Sequence, residues 1–539
     1  MKLAIRQLRS SPAFAFIAAI TLALGIGANS AIFALVDAVL LRPLPFPEPE
    51  RLVMVWERSS TSLRGEVAPL NLLDWNQRSR TVERMAGFVP NVGGMVMNAA
   101  DGTSETVPRQ WVTAGIFDAL GVRPVLGRTF LPSDDSRRSN VVVLSEAFWR
   151  TRFNADRGVV GRDIRLDGSL YTVVGVVPNE SRLIGRSSIW AMVPIQGAPA
   201  AARTAYFLQV IGRLKAGVSL EAAGADMAGV ARGLAQEFPA TNKGRGVTFE
   251  PLHDAVIGRE LRLTSMLFLG VVGFVLLICC ANVANLLLTR ASVRTRELAI
   301  RSALGAGRRR VIRQLLTESL VLSAIGAVLG LGVGAAILKI APSLIPEGLL
   351  PGAVTLNFDW RVTAFCVMAA LFVGLLFGLA PAWQATDFSS HVVIASGGRT
   401  VTGRGGTVRS LLVVGEVATA VVLLFGAGLL LRTLLVVDSV DRGYRAERVL
   451  TMMVDPLGSR YPTPASLVHF FEAIEGEIRA LPGVRSVAWA STLPLGSSDA
   501  GKMPFEIEGD PPAGGEPTYD GSPSADGDYQ VVSPTYFQT

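Results

Sequence analysis

The stretch LTSMLFLGVVGFVLLICCANVANLLLTRASVRTRELAIRSALGAGRRRVIRQLLTESL, residues 263–320, decides the fold. Its first part, Leu263 to Leu288, carries no charged side chain and is long enough to cross about 30 Å of hydrocarbon as a helix. The remainder sets Arg290, Arg294, Arg296, Arg301, Arg308, Arg309, Arg310 and Arg313 against only Glu297 and Glu318. Arginine concentrated beside an apolar run marks the cytoplasmic side of a membrane, because such loops are not carried across it. The stretch therefore reads as a span that delivers the chain to the cytoplasm.

Outward from it, four more apolar runs have spanning length: Phe14 to Val36, Leu320 to Leu338, Val362 to Ala385 and Leu411 to Leu431. The fold class expected is a membrane protein with an α-helical bundle of about five spans and α+β domains outside the bilayer. The first helix is placed at 14–41, after a cytoplasmic stretch 1–13 with Lys2, Arg6 and Arg9. A basic start followed by an apolar run also describes a signal peptide. Here the run is long and continues through Asp37 and LLRPLPFPEPERL without a small-residue cleavage site, which favours an uncleaved anchor. The remaining spans are placed at about 263–288, 320–340, 362–385 and 411–433.

Charge threads these spans consistently. The loop between the third and fourth spans carries only Arg361 at its edge, with Glu347 and Asp359, and so lies outside. The Gly/Ser/Arg-rich linker 386–410, with Arg399, Arg404 and Arg409, lies in the cytoplasm. Segment 43–262 and everything after 438 then face outward. Glu416 sits near the inner end of the fifth span and makes that helix less apolar than the others.

Composition agrees with this division. Of 539 residues, 50% are hydrophobic and only 18% charged, with a mean hydropathy of +0.40. The net charge of +7 falls largely in short segments abutting apolar runs, so it reports topology and not nucleic-acid binding. Cys279, Cys280 and Cys366 all lie inside apolar runs and read as small buried side chains.

Segment 43–262 reads as a mixed α+β domain large enough for its own core. Extended runs are expected at Leu52–Trp56, Val141–Leu144, Tyr171–Val177 and Phe207–Leu214, and a helix at Leu220–Phe238. A second outside segment, 438–539, repeats its beginning. Val449–Val454 follows the fifth span as Leu52–Trp56 follows the first. VSPTYFQT, Val532 to Thr539, lines up with VTAGIFDA, Val112 to Ala119, with Gln530 matching Gln110. The repeat implies that 438–539 is a partial copy of the first outside domain. Such a partial copy is expected to be poorly ordered or to depend on the first domain.

Two stretches carry a family resemblance. LTRASVRTRELAIRSALGAGRRRVIRQLLTESL, Leu288 to Leu320, resembles the cytoplasmic signature of the MacB/FtsX permease family, and AFWRTRFNADRGVVGRDIRLDGSLYTVVGVVP, Ala147 to Pro178, resembles its MacB-like periplasmic core domain. The order of anchor, core, three-span unit 263–385, anchor and core is similar to the duplicated branch called ADOP. The resemblance implies the permease subunit of an ABC transporter in a bacterial inner membrane, with the large domains periplasmic. A cytoplasmic ABC ATPase subunit is the implied partner, and the family also admits a periplasmic adaptor or substrate protein and a second permease half. The alternative from a different class is an FtsX-like scaffold or regulator that controls a periplasmic partner without moving a substrate.

Within segment 290–318, Glu297 and Arg301 stand at helical i,i+4 spacing, with Ile300 and Leu304 on the same stretch, and Gly305-Ala306-Gly307 breaks it before a second basic helix. By resemblance, Arg294, Arg296, Glu297, Ile300, Arg301, Leu304, Gly305, Ala306, Arg308, Arg309 and Arg310 form the projection that docks on the ATPase. Charge alone favours a cytoplasmic loop that touches lipid headgroups, and the resemblance reverses that reading.

Gly326, Gly330 and Gly334 recur every four residues, as do Gly374 and Gly378, and are expected to let helices pack closely. Asn282 and Asn285 either bond across helices or are solvated at the interface. No GxxxxGK[ST] phosphate loop occurs, and His253, His391 and His469 stand isolated, so neither enzymatic activity nor a cofactor is expected. Asp134 and Asp135 in LPSDDSRR read as a solvated turn and not as a metal site.

Overall fold

The computed structural model describes residues 11–59, 62–90, 93–98, 104–135, 140–179, 181, 187–193, 195, 203, 205–293, 308–344, 358–387, 405–440, 443, 447–454, 456, 461, 463–493, 501–505 and 525–538. The chain divides into two compact units, each considered by itself. One contains Met1–Arg42, Ile257–Leu350 and Val354–Leu450; the other contains Pro43–Val256, Pro351–Ala353 and Thr451–Thr539.

The first unit consists of long apolar helices: α1 (Pro12–Val36), α2 (Leu252–Val293), α3 (Arg308–Leu344), α4 (Trp360–Asp387) and α5 (Gly405–Ser439). Each contains the run read as a span and overshoots it, since helix propagation stops at caps and breakers and not at the edge of hydropathy. α1 starts with Pro12 in its first turn, where the missing N–H costs nothing, and runs on into a π-helical turn, Asp37–Leu41. α2 is interrupted at Gly258, with φ 71° and ψ 158°. That conformation is closed to residues with a Cβ, so a glycine is required where the chain leaves the short helical lead Leu252–Ile257 for the span.

The core of the bundle gathers Ala18, Ala19, Leu22 and Ile26 of α1, Cys280, Val283 and Ala284 of α2, Leu322 and Ala327 of α3, and Cys366, Ala370 and Val373 of α4. α5 differs: none of its most apolar eighteen-residue window is buried, against 61% of the corresponding window of α1.

The second unit is built on one eleven-stranded sheet. Its strands are β1 (Leu52–Arg58), β2 (Val82–Phe88), β3 (Gly93–Asn98), β4 (Ser104–Val112), β5 (Leu126–Gly127), β6 (Val141–Ser145), β7 (Asp163–Leu166), β8 (Ser169–Val177), β9 (Ile189–Met192), β10 (Gln209–Leu214) and β11 (Gly246–Pro251). They run in the order β11-β1-β10-β2-β4-β3-β7-β8-β6-β9, with β5 beside β8, and β9 returns to pair in parallel with β4. The β4-to-β9 part thus closes on itself while the β11-to-β2 part stays open.

Side-chain alternation explains this shape. In β1, Leu52 and Met54 enter one core cluster and Val53 and Val55 enter another, so both faces are covered and the strand reads as an unbroken apolar run. β6 does the same, with Val143 in the first cluster and Val142 and Leu144 in a third. One shared layer therefore backs two separate lobes.

Helix Leu220–Glu237 is capped by Ser219, whose Oγ accepts from Ala222 N, and it covers the open part with Ala223, Met227 and Leu234. The expected solvated turn at Asp134 and Asp135 is a 3-10 turn, Pro132–Asp134, but it is not solvated. Asp134 binds both Nη atoms of Arg128, and Asp135 Oδ1 accepts from Ile195 N at 2.7 Å. The acids are buried because these donors replace water.

The segment after α5 contains a helix, Pro464–Arg479, and a hairpin of β12 (Gly501–Phe505) and β13 (Ala525–Tyr529). Three of its hydrogen bonds resemble three in the first domain. Gly87 N donates to Thr113 Oγ1, Thr113 N to Gly87 O and Val89 N to Trp111 O, at 2.9, 2.8 and 2.9 Å. Correspondingly, Trp489 N donates to Ser533 Oγ, Ser533 N to Trp489 O and Ser491 N to Val531 O, at 3.0, 2.9 and 2.8 Å. A helical turn follows in each, at Ile116–Leu120 and at Tyr536–Gln538.

The extended run expected at Val449–Val454 forms no ladder. β1 is held between β10 and β11, whereas no described strand lies along 449–454, and Leu450 and Met453 are each 95% exposed. An apolar run without partners for its N–H and C=O groups gains nothing from strand geometry.

Candidate functional site

The functional candidate that the described residues define is the contact of α1 with α2, α3 and α4. Small residues bring the helix axes together. A methyl group on Gly326 would stand 2.6 Å from Leu22 Cβ, one on Gly330 3.2 Å from Ile26 Cβ, and one on Gly334 3.2 Å from the carbonyl oxygen of Gly27. From the α1 side, a methyl on Gly27 would meet Gly330 O at 2.9 Å, and one on Gly25 would meet Cys279 Sγ at 2.9 Å. A methyl on Gly374 of α4 would stand 3.0 Å from Ser323 Oγ of α3. Gly378 lies in α4, and its surroundings are outside the described residues.

A polar contact missed at the sequence level ties α1 to α2. Asn29, 2% exposed, donates through Nδ2 to Gly25 O in its own helix at 2.9 Å and to Val272 O of α2 at 2.8 Å. An amide in an apolar interior must satisfy its donors there, and two carbonyls facing each other across the contact do so. The signal in the sequence is an asparagine inside the GIGAN segment of the first span. Of the two asparagines expected to matter in α2, Asn282 is exposed, and Val283 and Ala284 beside it supply the packing.

At the C-terminal end of α1, four charged side chains meet. Asp37 opens the π turn and has a nearly fully buried side chain. Its Oδ2 accepts from Arg42 Nη2 at 3.1 Å, and its Oδ1 accepts from Arg361 Nη1 at 3.0 Å. Arg42 Nη2 also donates to Asp359 Oδ2. The other oxygen of Asp359 accepts from the N–H groups of Arg361 and Val362, at 3.0 and 3.2 Å, and so closes the N-terminus of α4. Two carboxylates thus face two guanidiniums, and the charges balance. Directly below lie Ala31, Ala34, Leu338 and Val362, and Phe33 stacks on Phe365 with ring centroids 4.1 Å apart and planes within 2°.

Arg294, Arg296, Glu297, Ile300, Arg301, Leu304, Gly305 and Ala306 lie outside the described residues, and Arg308, Arg309 and Arg310 form the first turn of α3, described for the backbone alone. Among the described residues no cluster of His, Cys, Asp or Glu has the composition to hold a metal ion.

In the core-domain unit, burial and pairing set the ionisation of several acids. Glu57 sits inside the unit, where burial pushes its carboxyl above the ordinary value, while Arg245 and Asn71, both hydrogen-bonded to it, oppose that shift. Asp226 goes the other way. Burial tends to raise its pKa, but donation to one oxygen from the backbone of Arg80 and Thr81 and from the hydroxyls of Ser79 and Thr81 outweighs it and holds the carboxyl low.

Comparison with known proteins matches both units. The family profile described as MacB-like periplasmic core domain matches residues 15–230, and that described as FtsX-like permease C-terminal matches residues 269–389. The YknZ protein of Bacillus subtilis, described as an uncharacterized ABC transporter permease, is 26% identical over 284 residues, covering 51% of this chain and 66% of that protein. A macrolide export ATP-binding/permease protein MacB from Hyphomonas neptunium is 26% identical over 421 residues, covering 74% of this chain and 60% of that protein. The chain therefore spans less than two thirds of the length of either relative. Among solved structures, the periplasmic region of MacB from Actinobacillus actinomycetemcomitans matches at 14% identity with a TM-score of 0.27, covering 38% of this chain and 90% of that one.

Proposed function

The chain belongs to the MacB/FtsX-type permease family, and from that premise we propose that it is the membrane-spanning subunit of an ABC-type transporter, driven by ATP hydrolysis in a separate cytoplasmic subunit. The observation that carries the proposal is the succession, on one chain, of a core-domain match and a permease match whose helices pack around the anchor that precedes the core. It is an inner-membrane permease with a periplasmic domain. In the finer reading, the N-terminus and segments 290–318 and 386–410 are cytoplasmic, and 43–262 and 438–539 are periplasmic. The chain itself is not an enzyme in this reading, although MacB relatives are described as ATP-binding and permease protein together.

The arrangement suits transmission of movement. α1 leads at Arg42 into the core-domain unit, and it is locked to α3 by glycine contacts and to α2 by Asn29. Displacement of the three-span unit by a nucleotide-driven partner therefore displaces α1 with it. Gly326, Gly330, Gly334, Gly374 and Gly378 serve as packing positions, and Arg294, Arg296, Glu297, Ile300, Arg301, Leu304, Gly305, Ala306 and Arg308 to Arg310 as the ATPase contact. A second permease half and a periplasmic adaptor or substrate protein complete the set of partners proposed.

Purification from native membranes in mild detergent tests this reading. Mass spectrometry is expected to find an ABC ATPase with the native chain, and to find it lost when Glu297, Arg301 and Arg308 to Arg310 are changed to alanine. Absence of any ATPase from the native, correctly inserted chain would refute an energised permease and leave a scaffold.

A further inference from the structure

The four charges at the end of α1 are more than a neutralised ion cluster, because of where each sits. Asp37 is the first residue of the π turn, and Arg42, which closes that turn, is held to it twice. The Arg42 N–H donates to Asp37 O at 2.7 Å, five residues back, and its guanidinium donates to the Asp37 carboxylate. Arg42 is also the last residue of the bundle unit before the chain passes into the core-domain unit at Pro43. On the α4 side, Asp359 and Arg361 flank the first helical residue, so one carboxylate both caps α4 and grips Arg42.

We propose that Asp37, Arg42, Asp359 and Arg361 form an ionic latch with a built-in release, which in its closed state joins the ends of α1 and α4. The release is the π turn. A π turn lies one hydrogen-bond register from an α turn, and passing from the i−5 to the i−4 carbonyl rotates the residues that follow about the helix axis. That rotation swings Arg42 away from Asp359 and leaves Asp37 with Arg361 alone. The closed state is favoured because a buried carboxylate with two guanidinium donors is far better compensated than one with a single donor. The same acid recurs in α5: Gly426, Gly428 and Asp438 repeat the spacing of Gly25, Gly27 and Asp37, with the aspartate ten residues beyond the second glycine in both helices.

The latch rests on the geometry of the bundle and not on the permease reading, so its test uses neither ATPase nor substrate. With Cys279, Cys280 and Cys366 replaced by alanine, nitroxide labels are placed at exposed positions beside the latch, Leu41→Cys and Trp360→Cys, in the full chain in lipid nanodiscs. Pulsed electron spin resonance is expected to give one short distance. In Asp37→Asn a second, longer distance is expected, with the long-to-short ratio raised about tenfold or more, and Asp37→Glu, which keeps the negative charge between Arg42 and Arg361, is expected to give the short distance alone. Should D37N not yield folded protein, R42Q, which removes the arm that reaches Asp359 and leaves Asp37 paired with Arg361 as in the released state, is expected to show the same longer distance. An unchanged distance in folded D37N or R42Q overturns the latch. So does the same longer distance in D37E, which would mean that charge does not hold the closed state, or failure of both D37N and R42Q to fold, since the cluster would then be a fixed part of the bundle with no release.

Discussion

Asp37 and Arg361 lie 324 positions apart in the chain, and their carboxylate and guanidinium meet at 3.0 Å. This contact, with the glycines of α3 against α1, decides which apolar helix neighbours which. Apolar helices in lipid have no hydrophobic reason to prefer one partner, so close packing and a few buried polar bonds make the choice.

The glycine contacts predict an asymmetric response along α3. Gly326→Leu would drive its side chain into Leu22, and a loss of about 1–3 kcal/mol or more in bundle stability is expected from overpacking. A methyl group on Gly332 would meet no neighbouring heavy atom within 4 Å, so Gly332→Leu is expected to be close to neutral. Thermal denaturation of the detergent-solubilised chain, followed by fluorescence-detected size exclusion, separates the two; equal losses would refute the contact.

Asn29→Ala removes a donor shared between α1 and α2 without adding volume. About 1 kcal/mol is expected, in line with hydrogen bonds between membrane helices and smaller than the overpacking effect. The same assay reads it, and a loss as large as that of Gly326→Leu would mean that Asn29 does more than bridge two helices.

Arg245→Met leaves Glu57 buried beside Asn71 without its cation, and a loss of about 3 kcal/mol is expected at neutral pH. The Glu57 pKa is raised by folding, so its favourable contribution is complete below the unfolded pKa and disappears as pH rises through the folded value. The defect of R245M should therefore shrink on acidification, and the added change Glu57→Gln should recover part of it at neutral pH. Urea unfolding followed by tryptophan fluorescence checks both, and a defect independent of pH would point to the stacking of Arg245 on Tyr206 instead.

Asp226 carries the opposite sign. Its folded pKa is depressed, so the stability it contributes is present above the unfolded pKa and lost as pH falls through the folded value. Asp226→Asn is expected to cost about 1–3 kcal/mol at neutral pH, because one oxygen serves four donors around Ser79 to Thr81. Below the folded pKa the two proteins should converge. A constant gap across the titration would show that the amide fails for shape and not for charge.

Much of the architecture was legible one segment at a time. The runs at Phe14–Val36 and Leu263–Leu288 announced α1 and α2, and the stretch Tyr171–Val177 announced most of β8, because hydropathy and periodicity are local properties. The repeat was read from eight residues, and three bonds around Ser533 resemble three around Thr113. Val449–Val454 misled because a strand needs neighbours that its own sequence does not contain. Asp134 and Asp135 misled for a related reason: their donors, Arg128 and the Ile195 N–H, come from before the turn and from sixty residues beyond it.

By itself the sequence marked the apolar runs of spanning length, the arginine-rich loop beside two of them and the likeness to the family, since each follows from side-chain chemistry within a short window. Only the tertiary structure decided that α1 faces Gly326, Gly330 and Gly334, that Asn29 reaches Val272, and that Asp37 shares Arg42 with Asp359 and pairs with Arg361. Those pairings depend on helix rotation and the π turn at Asp37, which emerge when several helices compete for the same small faces, and no single segment encodes them.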